Sequence, residues 1–157
     1  MELKLLADVP EAVPIVAQWY FDEWGFKRED NSLEKTAERV QAMQNRDAIP
    51  VMVVAVEGNE IRGAAHVKLH EMDIYPEKEY WLGGVYVAPG ARSRGLAARM
   101  VRRCVELAEG FGVKTLYLQT RKLDGGLYAR LGWRPIEQVD YKGVRVLVME
   151  RSTEAMA

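Results

Sequence analysis

Between residues 80 and 120 the chain changes period twice, and this limits the available folds more than any other feature. Residues 80–88 (YWLGGVYVA) form a short apolar and aromatic run that stops at Pro89-Gly90, as a strand does. From residue 95 to about 111 the spacing becomes helical. Ala97, Met100, Val101, Cys104, Val105, Ala108 and Phe111 make an apolar stripe, with Arg99, Arg102, Arg103, Glu106 and Glu109 facing water. Gly110 and Gly112 end that run, and residues 113–120 (VKTLYLQT) read as a strand again. Strand, helix and strand on short connections make a β-α-β unit, expected to be parallel and right-handed.

The flanking segments complete the pattern. Residues 2–7 alternate loosely as a first strand. Residues 8–25 predict a helix with Asp8 as N-cap, Pro10 in the first turn and Gly25 as the stop, although Pro14 weakens its start. Residues 31–45 predict a second helix behind Ser32, with Leu33, Ala37, Val40 and Met43 on one face. Residues 51–71 are two strands around Gly58-Asn59, a hairpin signal. A short helix over 124–132 and a closing pair of strands around Lys142-Gly143 follow. The order is β-α-α-β-β-β-α-β-α-β-β, an α/β fold with a mixed central sheet of about seven strands flanked by about four helices. Residues 1–157 carry no linker, repeat or low-complexity stretch and are expected to form one domain.

Composition removes several function classes. Basic and acidic residues number 22 and 23, for a net charge of -1, which lacks the basic excess of a dedicated nucleic-acid binder. No apolar run approaches the roughly 20 residues of a membrane span, and the N-terminus lacks a signal-peptide layout. The single cysteine, Cys104, falls on the buried helical stripe, which suits neither a disulfide nor a nucleophile. A reducing cytosol is the expected compartment. His66 and His70 could share a strand face, but two histidines without a third ligand make a poor metal site, and no metal is expected.

The loop joining the strand at 80–88 to the helix carries the chemistry. A helix N-terminus presents unpaired N–H groups and a positive dipole end, and so attracts anions. Gly95 and the small residues Ala91, Ser93 and Ala97 leave room for an anion to approach, while Arg92 and Arg94 add charge and planar donor forks. Gly90 to Gly95 has the glycine spacing of a P-loop, but Leu96-Ala97 stands where Lys-Ser/Thr is needed, and no G-x-G-x-x-G occurs. The same residues also suit a solvated, arginine-rich turn.

Arg92-Ser93-Arg94-Gly95-Leu96-Ala97 matches (Q/R)-x-x-G-x-(G/A), and Tyr128-Ala129-Arg130-Leu131-Gly132-Trp133 places a Tyr four residues before Gly-aromatic. In these motifs and in its element order, across nearly its whole length, the chain resembles the GNAT superfamily of Gcn5-related N-acetyltransferases. The resemblance implies a GNAT acyl-CoA N-acyltransferase fold whose fourth and fifth strands splay to admit acetyl-CoA. Main-chain N–H groups of Arg92, Ser93, Arg94, Gly95, Leu96 and Ala97 would then hold the pyrophosphate. Val85, Tyr86 and Val87 would pair with the pantetheine arm, and Gly83-Gly84 fits a bulge in that strand.

Acyl transfer to an amine needs a neutral amine, a donor for the developing oxyanion and a proton for the leaving thiolate. Backbone N–H groups near residues 85–87 suit the second need, and the resemblance assigns the third to Tyr128, which otherwise reads as a packing tyrosine. Where several family members carry a basic glutamate, this chain has Trp81; Glu79, two residues back on the same strand face, is the nearest carboxylate. It reads equally as an exposed strand-end residue. The family's asparagine after the fifth strand is also missing; Arg121 and Asp124 lie there, the latter also a natural N-cap. The resemblance places the acceptor, a small-molecule or peptide amine, around QWYFDEWGFKRED, where Glu23 and Trp24 suit a cationic amine. The expected activity is acetyl transfer from acetyl-CoA to a primary amine by direct attack in a ternary complex. The alternative is a non-catalytic acyl-CoA-binding module, and assembly as a homodimer stays open.

Overall fold

A computed structural model describes residues 1–25 and 30–154. Its elements follow the expected order: β1 (Glu2–Leu5), α1 (Val13–Trp24), α2 (Leu33–Gln41), β2 (Val51–Glu57), β3 (Glu60–Leu69), β4 (Tyr80–Val87), α3 (Leu96–Gly110), β5 (Thr115–Thr120), α4 (Gly126–Arg130), β6 (Arg134–Tyr141) and β7 (Val144–Ser152). The strands form one sheet in the order β1-β2-β3-β4-β5-β7-β6. Only β4 and β5 run parallel, on either side of α3; the other pairings are antiparallel. The sequence resolved this mixed sheet because the two antiparallel ends have tight turns. Gly58 takes φ 61° between β2 and β3, while Lys142 (φ 50°) and Gly143 (φ 80°) turn β6 into β7.

Alternation along the strands builds a core on each face. Val51, Val53, Ala65, Val67, Leu82, Leu116, Leu118, Leu147 and Met149 pack against Leu96, Met100, Val101, Cys104 and Ala108 of α3. On the other face Met52, Val54 and Ala64 pack against Val16, Ala17 and Tyr20 of α1 and Val40 of α2. That face continues under β4 and β7, where Trp81, Val146 and Val148 meet Met72 and Tyr75 from the connection 70–79. Ala97 and Phe111, expected on the buried stripe of α3, are half-exposed at its two ends.

The start of α1 differs from the sequence reading. Asp8 is not its cap: two 3-10 turns, Leu6–Asp8 and Pro10–Ala12, precede a helix that begins at Val13 with Pro14 in its first turn. Val9 (φ -137°, ψ 59°) separates the turns, and Pro14 lands where its missing N–H is not needed. Ser32 caps α2 as expected, its hydroxyl accepting from the Lys35 N–H at 3.1 Å.

Candidate active site

β4 and β5 pair through Trp81 and Tyr117, and no ladder joins them beyond that point. A cleft of about 1130 Å³ opens there, lined from one side by Ala97 of α3 and Tyr128 of α4, and from the other by Tyr20, Glu23 and Trp24 of α1. Two features of β4 shape it. Ala64 pairs with Tyr86 but His66 pairs with Gly83, so β4 carries an extra residue, a bulge in which Gly84 takes φ 60°. A side chain at Gly84 would strike the Tyr20 hydroxyl and the His66 ring, which makes glycine a requirement there.

At the other end of the loop from β4, α3 is capped by Gly95, which has φ 72°. Ser93 also has positive φ (67°). Among the described residues, the N–H groups of 93–98 have no intramolecular acceptor; the first bonded amide is that of Arg99, to the Gly95 carbonyl at 3.2 Å. The amide of Arg92, expected to belong to this row, points back to the Pro89 carbonyl at 3.5 Å. Successive outward N–H groups at the positive end of a 15-residue helix make an anion cradle. A Cβ at Gly95 would meet nothing within 4 Å, so the space in front of the row is open. The arginine side chains brace the loop. Arg92 Nε donates to the Val87 carbonyl at 3.0 Å, and its guanidinium lies 5.8 Å from the centre of the Tyr86 ring. Arg94 pairs with Glu57 at 3.0 Å. Val85 and Ala97 line the cleft, whereas Tyr86 stacks on Trp19 at 4.9 Å.

Tyr128 sits half-buried with its ring edge-on to Trp133 at 6.3 Å, and its hydroxyl has no protein partner among the described residues. Burial, with a lesser contribution from the Cys104 thiol, pushes it up to about 12. Across the cleft, Trp24 packs edge-on to Tyr20 at 5.4 Å, and Glu23 reaches Arg121 at the end of β5 at 3.8 Å. The Asp124 carboxylate accepts from the Gly126 N–H at 2.9 Å in a local turn, but the N-cap of α4 is Gly125 (φ 84°), one residue after the position expected to cap it. Of the aromatic and acidic run QWYFDEWGFKRED, residues 26–29 lie outside the described residues.

Glu79 is not brought into the cleft. It precedes β4 and is exposed, and its charge is the main cause that raises the pKa of the neighbouring Tyr80 phenol. Trp81 is fully buried, its indole N–H donating to the Lys78 carbonyl at 2.8 Å. Among the described residues the carboxylates that do line the cleft are Glu23, Asp124 and Glu71, the last from the turn after β3 and paired with Lys68 at 3.4 Å. Nothing in the sequence marks it, because its position depends on the shape of the connection 70–79. The two histidines separate: His70 is exposed with φ 50°, while His66 is buried beside Tyr20 and Gly83.

Comparison with known proteins agrees with this geometry. The model of the acetyltransferase (GNAT) family matches residues 13–133. No sequence among the curated proteins matches the chain significantly. Solved structures share the fold. An aminoglycoside 6'-acetyltransferase type Ii is 19% identical with a TM-score of 0.74, covering 100% of each chain. An aminoglycoside 6'-N-acetyltransferase complexed with coenzyme A is 16% identical with a TM-score of 0.75, covering 100% of this chain and 99% of its own. yncA from Salmonella typhimurium, with its cofactor acetyl-CoA, is 15% identical with a TM-score of 0.72, covering 100% and 96%. At these identities the likeness speaks for the fold, and the family match spans most of the sequence that builds the cleft. The chain belongs to the GNAT family of acetyltransferases.

Proposed function

We propose that this protein is an N-acetyltransferase that moves an acetyl group from acetyl-CoA to a primary amine by direct attack, with no acyl-enzyme. The observation that carries the reading is the row of unpaired N–H groups at 93–98, opening onto the gap between β4 and β5. These residues fit a diphosphate, since successive outward amides with open space at Gly95 accept one without displacing protein atoms. Neighbours of the same fold hold coenzyme A or acetyl-CoA. Acetyl-CoA supplies the acetyl thioester. The 93–98 amides hold its diphosphate, Val85 to Val87 run alongside the pantetheine arm, and the acceptor enters from the α1 side past Trp24 and Glu23.

The proton inventory then closes. As the N–C bond forms and the C–S bond breaks, the amine loses a proton and the thiolate needs one. Glu71, the cleft carboxylate that lies against Gly83 of β4, takes the first, directly or through one water. Tyr128, on the cofactor side with its hydroxyl free, supplies the second. The burial that holds its phenol protonated also disfavours a leaving thiolate beside it, so the two acids shift together. Cys104 is fully buried and pushed up to about 12, mainly by that burial, which removes it as a nucleophile.

The test is thiol release from acetyl-CoA across a panel of amino acids, polyamines, aminoglycosides and peptide N-termini. Amine-dependent release with a matching acetylated product supports the reading. Tight acetyl-CoA binding without release from any amine would make the chain a binding module instead.

A further inference from the structure

One buried group near the cleft has a job that packing does not explain. The Tyr20 hydroxyl has a single proton and donates it to the Gly84 carbonyl at 2.7 Å. Its 3.2 Å contact with His66 Nδ1 therefore requires the hydrogen on Nδ1, which leaves Nε2 as a bare lone pair. His66 is 5% exposed, and Nε2 has no hydrogen-bond partner among the described residues. A core histidine normally satisfies both ring nitrogens, since a buried polar atom left unpaired is costly. Burial, with Lys68 nearby as the lesser cause, lowers its pKa to about 3, so the ring stays neutral and its lone pair available.

The direction of that lone pair is set by β4. His66 pairs across the strands with Gly83, and the missing side chain at 83 is what lets the ring lean over β4. A Cβ built on Gly83 would lie 2.8 Å from His66 Nε2 and 3.1 Å from Glu71 Oε2. His66 Nε2 and Glu71 Oε2 thus both lie close against Gly83, and all three residues belong to the lining of the cleft.

We propose that Glu71 and His66 Nε2 receive the acceptor nitrogen through two separate N–H bonds, which makes His66 the residue that selects primary over secondary amines. The inference rests on the acetyltransferase reading and deepens it. A neutral primary amine has two N–H bonds and one lone pair. With one N–H on Glu71 and the other on Nε2, its lone pair is left to face the thioester. A secondary amine has one N–H. Bound to Glu71, it turns an alkyl group onto the imidazole and leaves Nε2 buried and empty. Sites built to pair a substrate N–H reject analogues lacking it, here by roughly tenfold or more.

The chain has two histidines, so a ¹⁵N-histidine-labelled sample gives a readable side-chain spectrum. The free protein is expected to show His66 as the Nδ1–H tautomer with unprotonated Nε2. In the coenzyme A complex, benzylamine and glycinamide should shift His66 Nε2 and leave His70 in place. N-methylbenzylamine and sarcosinamide should bind at least tenfold more weakly. His66→Leu should bring both members of each pair to similar affinity, and His66→Gln, which keeps an acceptor atom and serves if the leucine variant does not fold, should restore part of the difference. A hydrogen on Nε2, no shift with primary amines, or discrimination unchanged in a folded variant would each overturn the proposal. Selective binding without thiol release would leave the two-point site standing and remove the catalytic reading.

Discussion

Gly95 offers the sharpest separation between fold and function, because its φ is left-handed while its Cβ position is empty. Gly95→Ala meets no atom within 4 Å, so its cost is the backbone strain of φ 72° alone, about 1–2 kcal/mol. For a chain of 157 residues that lowers Tm by a few degrees, on the order of 2–4 °C for each kcal/mol. Gly95→Glu carries the same strain and adds a carboxylate in front of the 93–98 amides. At about 4 Å from a diphosphate, one pair of like charges costs about 1 kcal/mol at the dielectric of water and about 4 at an effective value near 20. The expected loss of acetyl-CoA affinity in Gly95→Glu beyond that in Gly95→Ala is therefore between about fivefold and a thousandfold. It should shrink as salt is raised, since the site is open to solvent. Isothermal calorimetry at two ionic strengths, with thermal melts on the same samples, reads both effects. Equal affinities for the two variants, at matched Tm, would show that the anion does not sit at the start of α3.

Tyr128→Phe should leave stability within about 0.5 kcal/mol, because the lost hydroxyl has no protein partner and the edge contact with Trp133 remains. It should lower kcat while the Kd for acetyl-CoA stays nearly constant; unchanged turnover would remove Tyr128 from the reaction. Glu71→Gln keeps the shape of the side chain but cannot take a proton, so kcat/KM should fall by about 100-fold or more, checked by thiol release at saturating acetyl-CoA. His66 gives a stability prediction with a defined sign. Its folded pKa is about 3 against 6.5 unfolded, so the unfolded chain binds the extra proton, and stability falls by up to about 1.4 kcal/mol per pH unit between pH 6.5 and 3. Urea unfolding at pH 6.5 and 5.0 should show the wild type losing about 1.6 kcal/mol more than His66→Gln.

The element order was readable because each segment keeps one period and the antiparallel ends close on turns with unmistakable residues, Gly58-Asn59 and Lys142-Gly143. The anion loop was readable for a related reason: a strand stop, glycine and a helical stripe lie next to one another in the chain. The acceptor side was less so. Glu79 follows from strict alternation through Trp81, but β4 starts only at Tyr80, and alternation says nothing about a residue outside the strand. Glu71 reaches the cleft because residues 70–79 fold under the sheet, with Met72 and Tyr75 packed on Trp81 and the Tyr75 hydroxyl bonded to Glu137 on β6. The bond to Glu137 joins residues 62 apart in sequence, and no local pattern encodes it. His66 and His70 looked like a pair at a spacing of four. The left-handed backbone at His70 ends the strand and sends its side chain to solvent.

Gly83 and Gly84 show why a broken ladder rather than an added loop makes this site. An intact β4 would have a side chain at 83 over His66 and Glu71 and another at 84 against Tyr20, sealing the α1 face of the sheet. Removing the two Cβ atoms costs local rigidity, which the Tyr20 hydroxyl restores by bonding the Gly84 carbonyl and bracing the His66 ring. The same residue that replaces the lost packing also fixes the imidazole tautomer. If His66 selects the amine as proposed, stability and specificity are coupled through Tyr20: losing its hydroxyl would free the bulge and at the same time release the constraint that keeps Nε2 bare. On the proposed function the thioester side would need no such device, because its ligand would be held by the unpaired backbone amides at the start of α3. The two substrates of the proposed reaction would then meet where β4 leaves β5, one positioned by main chain and the other by side chains.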